Sequence, residues 1–346
     1  MNASPRHTVI IAEAGVNHNG DFQRALKMID VAAEAGVDYV KFQTAVPELL
    51  VAASAQKADY QKTTTGNDGS QLDMLRSIML PLDAFERLSE HCRLRGVGFV
   101  STPFDLVSID VLARLNMDFW KIPSGEVTNV PYLRKISRLG GRVIMSTGMC
   151  DPYDIEASLT YLTEANITRR DISLLHCNTQ YPTPMADVNL RAMDSLRRFD
   201  VAAVGYSDHT LGIEVPIAAV ALGAEIIEKH FTLDKSLPGP DHRASVDPAE
   251  LRAMVTAIRN IEQALGTDEK RVTASESANI VAARKSIVAA RDIAKGELLT
   301  EENLTVKRPG NGLSPLMWDD VVGTHAVADF RADDLIRITT NAERNE

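Results

Sequence analysis

The run Gly205–Arg243, GYSDHTLGIEVPIAAVALGAEIIEKHFTLDKSLPGPDHR, holds two strand-to-loop exits separated by one helical stretch. Ala202–Tyr206 leads into Ser207-Asp208-His209, Leu211–Leu222 reads as a helix, and Ala224–Glu228 leads into Lys229-His230. Two β-to-α turns of one hand place their loops at the same end of a parallel sheet, so His209 and His230 are expected to face each other across adjacent strands. Imidazole nitrogens so placed can share a metal ion and leave open positions for a substrate. A single histidine is more often structural. The pairing, with Asp208 and Asp241 close by, points to a site.

The same alternation extends from Thr8 to about Leu265. Strands are expected at Thr8–Glu13, Tyr39–Phe42, Gly98–Ser101, Phe119–Ile122, Val143–Ser146, Ser173–His176, Ala202–Tyr206 and Ala224–Glu228. Helical stretches follow near Phe22–Ala35, Leu82–Arg95, Leu106–Leu115, Val130–Arg138, Ile155–Ala165, Val188–Arg198, Leu211–Leu222 and Pro248–Leu265. Eight strand–helix units within this span predict an α/β protein with a (β/α)8 TIM barrel over residues 1–266. Asp151-Pro152 and Asp247-Pro248 each supply a capping carboxylate and a proline at the first helical position. The connection Thr44–Pro81 is too long for a tight turn and reads as a lid or a partly helical insertion. Thr267–Ala283 is polar and reads as a helical linker. Residues 284–346, with strand-like runs Ser286–Ala290 and Leu335–Thr339, read as a small, mostly β or mixed domain.

Composition narrows the function classes. The 346 residues are 45% hydrophobic and 24% charged, an ordinary globular balance. A formal charge of −10 argues against nucleic acid or an anionic membrane as partner. An anionic substrate would need locally placed cations. Cys92, Cys150 and Cys177 suggest neither a disulfide framework nor a zinc knuckle, so a reducing cytoplasm is the expected setting. The apolar run Val9–Ala12 is too short for a signal peptide, and no stretch reaches membrane-spanning length.

Barrel active sites lie at the carboxyl ends of the strands. Those ends read Glu13, Lys41-Phe42-Gln43, Ser101-Thr102, Lys121-Ile122-Pro123-Ser124-Gly125-Glu126, Ser146-Thr147-Gly148 and His176-Cys177-Asn178-Thr179-Gln180-Tyr181. Alternation puts Lys41 and Gln43 on one side of their strand. A lysine facing a barrel mouth needs an anion. With Thr102, Ser124, Ser146 and glycine amides, Lys41 and Lys121 make a phosphate or carboxylate receptor. The plainer alternative is that both lysines only pair with Glu13 and Glu126. Prolines stiffen Tyr181-Pro182-Thr183-Pro184, which would hold Tyr181 over the mouth.

The pieces IIAEAGVNHNG, VKFQTA, STPFD, KIPSGE, STGM, QYPTP, GYSDHT, EKHFT and PGPDH, in this order, resemble the sialic acid synthases. ARKSIVAARDIAKGE and KRPGNG resemble their small antifreeze-like (SAF) domain. The resemblance implies condensation of phosphoenolpyruvate with an open-chain N-acylated mannosamine-type sugar, releasing phosphate. It further implies a divalent metal, Mn2+ or Mg2+, on His209 and His230, and a homodimer in which one subunit's small domain covers the other's barrel. Lys41, Thr102, Lys121, Ser124 and Ser146 would contact phosphoenolpyruvate. Glu13, Gln43, Asn67, Tyr181, Ser207 and Asp241 would handle the sugar or metal-bound water, and Arg308 would touch the N-acyl group. Many members read Cys-Thr-Asn where this chain reads Cys177-Asn178-Thr179, so Asn178 or Thr179 would take the phosphate-side role. That form resembles members acting on 2,4-diacetamido-2,4,6-trideoxymannose, giving N,N'-diacetyllegionaminate, rather than on N-acetylmannosamine, giving N-acetylneuraminate.

For the chemistry, a metal would polarise the sugar carbonyl, and a carboxylate, Glu126 or else Glu13, would position the water that adds to the enol carbon. Two other classes stay open. One is a lyase in which Lys41 or Lys121 forms a Schiff base with pyruvate. The other is a sugar- or ice-binding module on an inactive barrel, which the ionisable strand ends argue against.

Overall fold

The computed structural model describes residues 7–66 and 69–338, with the side chain of Tyr60 outside the description. Strands β1 (Val9–Gly15), β2 (Tyr39–Thr44), β3 (Gly98–Pro103), β4 (Trp120–Ile122), β5 (Val143–Ser146), β6 (Ile172–His176), β7 (Ala203–Asp208) and β8 (Ile226–His230) form one parallel sheet in the order β3-β2-β1-β8-β7-β6-β5-β4. Strands β3 and β4 lie side by side, although no ladder joins them among the described residues, so the sheet curls into a nearly closed barrel. The (β/α)8 architecture expected from the alternation is the one formed.

Two faces of each strand do different work. Outward residues such as Ile10, Ala12, Val40, Phe42 and Ile227 pack under the helices. Inward residues Ile11, Val100, Phe119, Ile144, Leu175 and Ile226 plug the barrel. The strands are therefore apolar on both faces, as buried parallel strands must be. Gly205 makes room within this packing: a Cβ there would lie 2.2 Å from the Ile226 carbonyl oxygen and 2.7 Å from Leu175 Cδ2. One pleat above the plug the inward positions turn polar, which marks the end of the barrel where chemistry can occur.

Helix starts follow the expected carboxylates. Asp151 Oδ1 accepts from Tyr153 N at 2.7 Å and Asp154 N at 3.0 Å, and Asp247 Oδ1 accepts from Ala249 N and Glu250 N, both at 2.9 Å. Such a cap contributes about 1 kcal/mol. Several helices are shorter than the periodicity suggests, and in two of them a left-handed residue is the cause. Asn189 and Asp200 adopt left-handed φ of 45° and 52°, which only short polar residues take readily, and the helix between them shrinks to Ala192–Leu196. Gly212, at φ 75°, delays the next helix to Glu214–Ala221. The long connection after β2 folds as helices Pro47–Leu50, Asp59–Thr65 and Gln71–Ile78.

Strands β7 and β8 run further than expected, taking in Ser207-Asp208 and Lys229-His230. The parallel ladder continues through Ser207↔Glu228 and Asp208↔Lys229. On the outer face, Lys229 Nζ meets Asp208 Oδ2 at 2.5 Å with both side chains fully buried. This ion pair stitches the two strands directly beside both histidines.

The chain divides after Gly266 into two compact units. The second contains helix Ala274–Ala283 and an antiparallel pair, β9 (Ser286–Ala289) and β10 (Leu304–Lys307). Its core includes Ile287, Leu299, Leu304, Val321, Phe330 and Ile336. The run from Leu335, expected as a strand, supplies the isolated bridge Val288↔Leu335, and Thr339 lies outside the described residues. Among the described residues no helix is long and apolar enough to cross a membrane.

Candidate active site

The polar end of the barrel encloses a cavity of about 300 Å³. Its floor is the inward-facing layer directly above the plug. Glu13 on β1, Lys41 on β2, Thr102 on β3, Lys121 on β4, Ser146 on β5, Ser207 on β7 and Glu228 on β8 all line it and are buried.

These side chains form one continuous array. Gln43 Nε2 donates to Glu13 Oε1 at 3.0 Å, and Lys41 Nζ lies 2.8 Å from Glu13 Oε2 and 3.1 Å from Thr102 Oγ1. Lys41 is also 3.8 Å from Glu228 Oε1, which accepts from Ser207 Oγ at 3.1 Å. Lys121 Nζ lies 3.5 Å from Glu228 Oε2 and donates to Ser146 Oγ at 2.8 Å. Two ammonium groups thus meet two carboxylates. The pairing of Lys41 with Glu13 considered from the sequence is present, but the partner of Lys121 is Glu228, not Glu126.

Burial sets the protonation balance. It is the largest influence on Glu228 and would raise its carboxyl, but Lys121 and Lys41 more than reverse it and hold the group below its ordinary value. Burial raises the Glu13 carboxyl, with Lys41 only partly offsetting it. Burial would lower Lys41, yet Glu13 and Glu228 hold it above the usual lysine value. In Lys121 burial wins, and the amine is lowered despite Glu228. Asp241, at the cavity edge, is pushed up to about 7 by burial and by Glu13.

Above the floor stand the two histidines. Their ring centroids are 5.5 Å apart with planes at 62°. His209 Nδ1 bonds the Asn178 carbonyl oxygen, leaving Nε2 directed at Tyr181 Oη, 3.0 Å away. Tyr181 stacks on His209 at 4.0 Å between centroids. His230 Nδ1 is buried without a hydrogen-bond partner. Burial lowers His209 to about 4 and His230 well below the ordinary imidazole value. Both rings are therefore neutral at pH 7, the form that ligates metals. A buried orphan nitrogen beside a second neutral imidazole fits a divalent ion. Among the described residues no group of three or more His, Cys, Asp or Glu is placed to hold one, so oxygen ligands from substrate and water would complete its shell.

Not every expected residue joins this cavity. Ser124 and Tyr181 line it. Glu126, the first choice for handling water, does not: the 3-10 turn Ser124–Glu126 carries it away, and its carboxylate accepts from Asn129 Nδ2 at 2.6 Å. Asn178 also turns aside, its Oδ1 accepting from Gln180 N at 2.8 Å, while Thr179 lines the wall. Arg308 is exposed in the second unit, its Nε donating to the Ala283 carbonyl at 3.2 Å. Asn67 lies outside the described residues. Glu228 and Cys177 line the cavity without having been singled out. Alternation could have found Glu228, two residues before His230 on one strand.

Comparison with known proteins adds the following. A family model described as the NeuB family matches residues 28–270, and a SAF domain model matches residues 284–339. The N,N'-diacetyllegionaminic acid synthase of Campylobacter jejuni is 49% identical over 96% of this chain and 99% of its own. The N,N'-diacetyllegionaminic acid synthase of Legionella pneumophila is 45% identical over 93% and 91%. The crystal structure of N-acetylneuraminic acid synthetase from Leptospira borgpetersenii, in complex with citrate, superposes with a TM-score of 0.69 at 33% identity, covering 81% of this chain and 92% of that one.

Proposed function

The chain belongs to the NeuB family and carries a SAF domain, and on that premise we propose that it is a nonulosonic acid synthase. It condenses phosphoenolpyruvate with an N-acylated mannosamine-type sugar and releases phosphate. The similarity to N,N'-diacetyllegionaminic acid synthases supports 2,4-diacetamido-2,4,6-trideoxymannose as the sugar, with N-acetylmannosamine as the comparison substrate. The observation that carries the reading is the array of Lys41, Lys121, Thr102 and Ser146 sealed beneath two neutral histidines.

Phosphoenolpyruvate is the anion that two buried lysines and a ring of hydroxyls can accept. Lys41, Thr102, Lys121, Ser124, Ser146 and Thr179 hold its phosphate and carboxylate, so that C3 faces the histidines. A divalent ion, Mn2+ or Mg2+, on His209 and His230 supplies Lewis acidity to the sugar carbonyl when bound. The C2–C3 π pair forms the new bond to the sugar's C1, and the carbonyl π pair moves to its oxygen, which takes a proton from solvent. Electron-poor C2 then accepts water, and the Glu13 carboxylate, made more basic by burial, takes the proton released. The C2 hydroxyl gives its proton to the departing phosphate and closes to a ketone as the bond between C2 and the bridging oxygen breaks, so inorganic phosphate leaves with that oxygen. Gln43, Tyr181, Ser207 and Asp241 orient the sugar around that step, with Asn67 and the Arg308 of a second subunit completing its contacts. The family resemblance supports a cytoplasmic homodimer in which one SAF domain (284–346) follows the linker 267–283 and covers the neighbouring barrel.

One observation favours a second reading. A buried lysine with a lowered amine, as Lys121 is, can form a Schiff base. Pyruvate with borohydride separates the two: an adduct on Lys121 supports the lyase. No adduct, together with phosphate release that needs both phosphoenolpyruvate and sugar and stops on chelation, supports the synthase.

A further inference from the structure

The roof of the cavity differs in chemistry from its floor. The insertion after β2 contributes Leu50, Val51, Met74, Leu75, Ile78 and Met79 to the lining. Met74, Leu75 and Ile78 are buried together with Val16, and Leu50, Val51 and Met79 pack on them. The wall is held as a unit: Arg76 Nε donates to Glu48 Oε1 at 2.8 Å, tying helix Gln71–Ile78 to helix Pro47–Leu50, and Gln71 N donates to the Ala55 carbonyl at 3.3 Å. Its polar members are Gln61 and Gln71. Gln61 Oε1 accepts from Ala58 N at 2.9 Å in a helix cap, which leaves the Gln71 amide to match the donor and acceptor of an acylamido group.

Resting on the reading above, we propose that this insertion is the specificity subsite for the far end of the sugar, taking a terminal methyl group rather than a hydroxymethyl. The reacting carbonyl must lie at the polar floor and the histidines, so the other end of an open six-carbon chain is left to the remaining wall. A methyl placed against Leu50, Val51, Met74 and Met79 loses nothing to water and gains apolar burial. A hydroxyl there gives up hydrogen bonds to water for hydrocarbon. Methionine side chains adapt their shape to a small apolar group. The subsite thus selects 6-deoxy amino sugars, and Gln71 favours a second acylamido group over a hydroxyl.

The test compares phosphate release from phosphoenolpyruvate with a matched pair, N-acetylmannosamine and its 6-deoxy analogue, in the wild-type enzyme, Met74→Gln and Leu50→Gln. The 6-deoxy sugar is expected to have the higher kcat/KM in the wild type by roughly 10- to 100-fold, the range set by one small group in an apolar pocket. Both variants should bring that ratio down about tenfold while the KM for phosphoenolpyruvate and the melting temperature stay near wild type. A wild-type ratio near one, or a ratio unchanged in both folded variants, overturns the subsite while leaving the synthase reading intact. Equal loss on both sugars with a lower melting temperature makes the wall merely the core of the insertion and also overturns it. Absence of phosphate release with either sugar, and with the diacetamido sugar, overturns both readings.

Discussion

Lys121 Nζ lies 3.5 Å from Glu228 Oε2, with both side chains sealed from solvent at the floor of the barrel. Removing one member of a buried pair leaves the other uncompensated, at a cost of about 3–5 kcal/mol. Glu228→Gln should therefore lower the melting temperature at pH 7. The lysines hold the Glu228 carboxyl below its ordinary value of 4.5, so its stabilisation is present above that pH and is lost as pH falls through the folded value. Melting curves of wild type and variant should converge in acid. Curves that stay parallel down to pH 3 would remove the pairing argument.

Asp241 gives the opposite sign. Its carboxyl is raised to about 7 from 3.8, so its contribution is complete below 3.8 and is lost as pH rises through 7. Asp241→Asn should be more stable than wild type at pH 8, and the difference should vanish towards pH 4. Thermal melts of the metal-free proteins across that range check it.

Glu13 and Glu126 separate function from structure. Glu13 lines the cavity beside Lys41, whereas Glu126 is tied to Asn129 outside it. Glu13→Gln should lower kcat by about 10²–10⁴-fold, the usual range for loss of a proton acceptor. Glu126→Gln should lose much less turnover and show its effect in the melting temperature. Equal losses of kcat in the two variants would return Glu126 to the chemistry.

The histidine pair predicts metal binding as a property distinct from turnover. His209→Asn and His230→Asn should each weaken Mn2+ binding in calorimetry at least tenfold, about 1.4 kcal/mol, and should abolish activity without unfolding the barrel. Unchanged Mn2+ affinity in both variants would place the ion elsewhere.

Much of this arrangement can be read in the chain. Parallel strands buried on both faces produce short apolar runs, and the polar residue ending each run marks the mouth, which is why Lys41, Lys121, Ser146, His209 and His230 were legible. Glu228 is overshadowed by His230, to which the ladder continues, although alternation puts both on the same side of the strand. Alternation fails once a strand gives way to irregular backbone. After His176 it could not tell Asn178 from Thr179, and after Pro123 it could not show that a 3-10 turn aims Glu126 away. The apolar roof was hidden for another reason: three short helices in a long connection look like an insertion's private core, and only their placement over the barrel mouth shows a second use.

The reaction itself is tested most directly by the fate of one oxygen. Phosphoenolpyruvate labelled with ¹⁸O at the bridge between C2 and phosphorus should give, with the diacetamido sugar, inorganic phosphate carrying that label, and a nonulosonic acid whose C2 oxygen comes from water. Unlabelled phosphate, or label retained in the sugar acid, would contradict carbon–oxygen cleavage and the role given to this site.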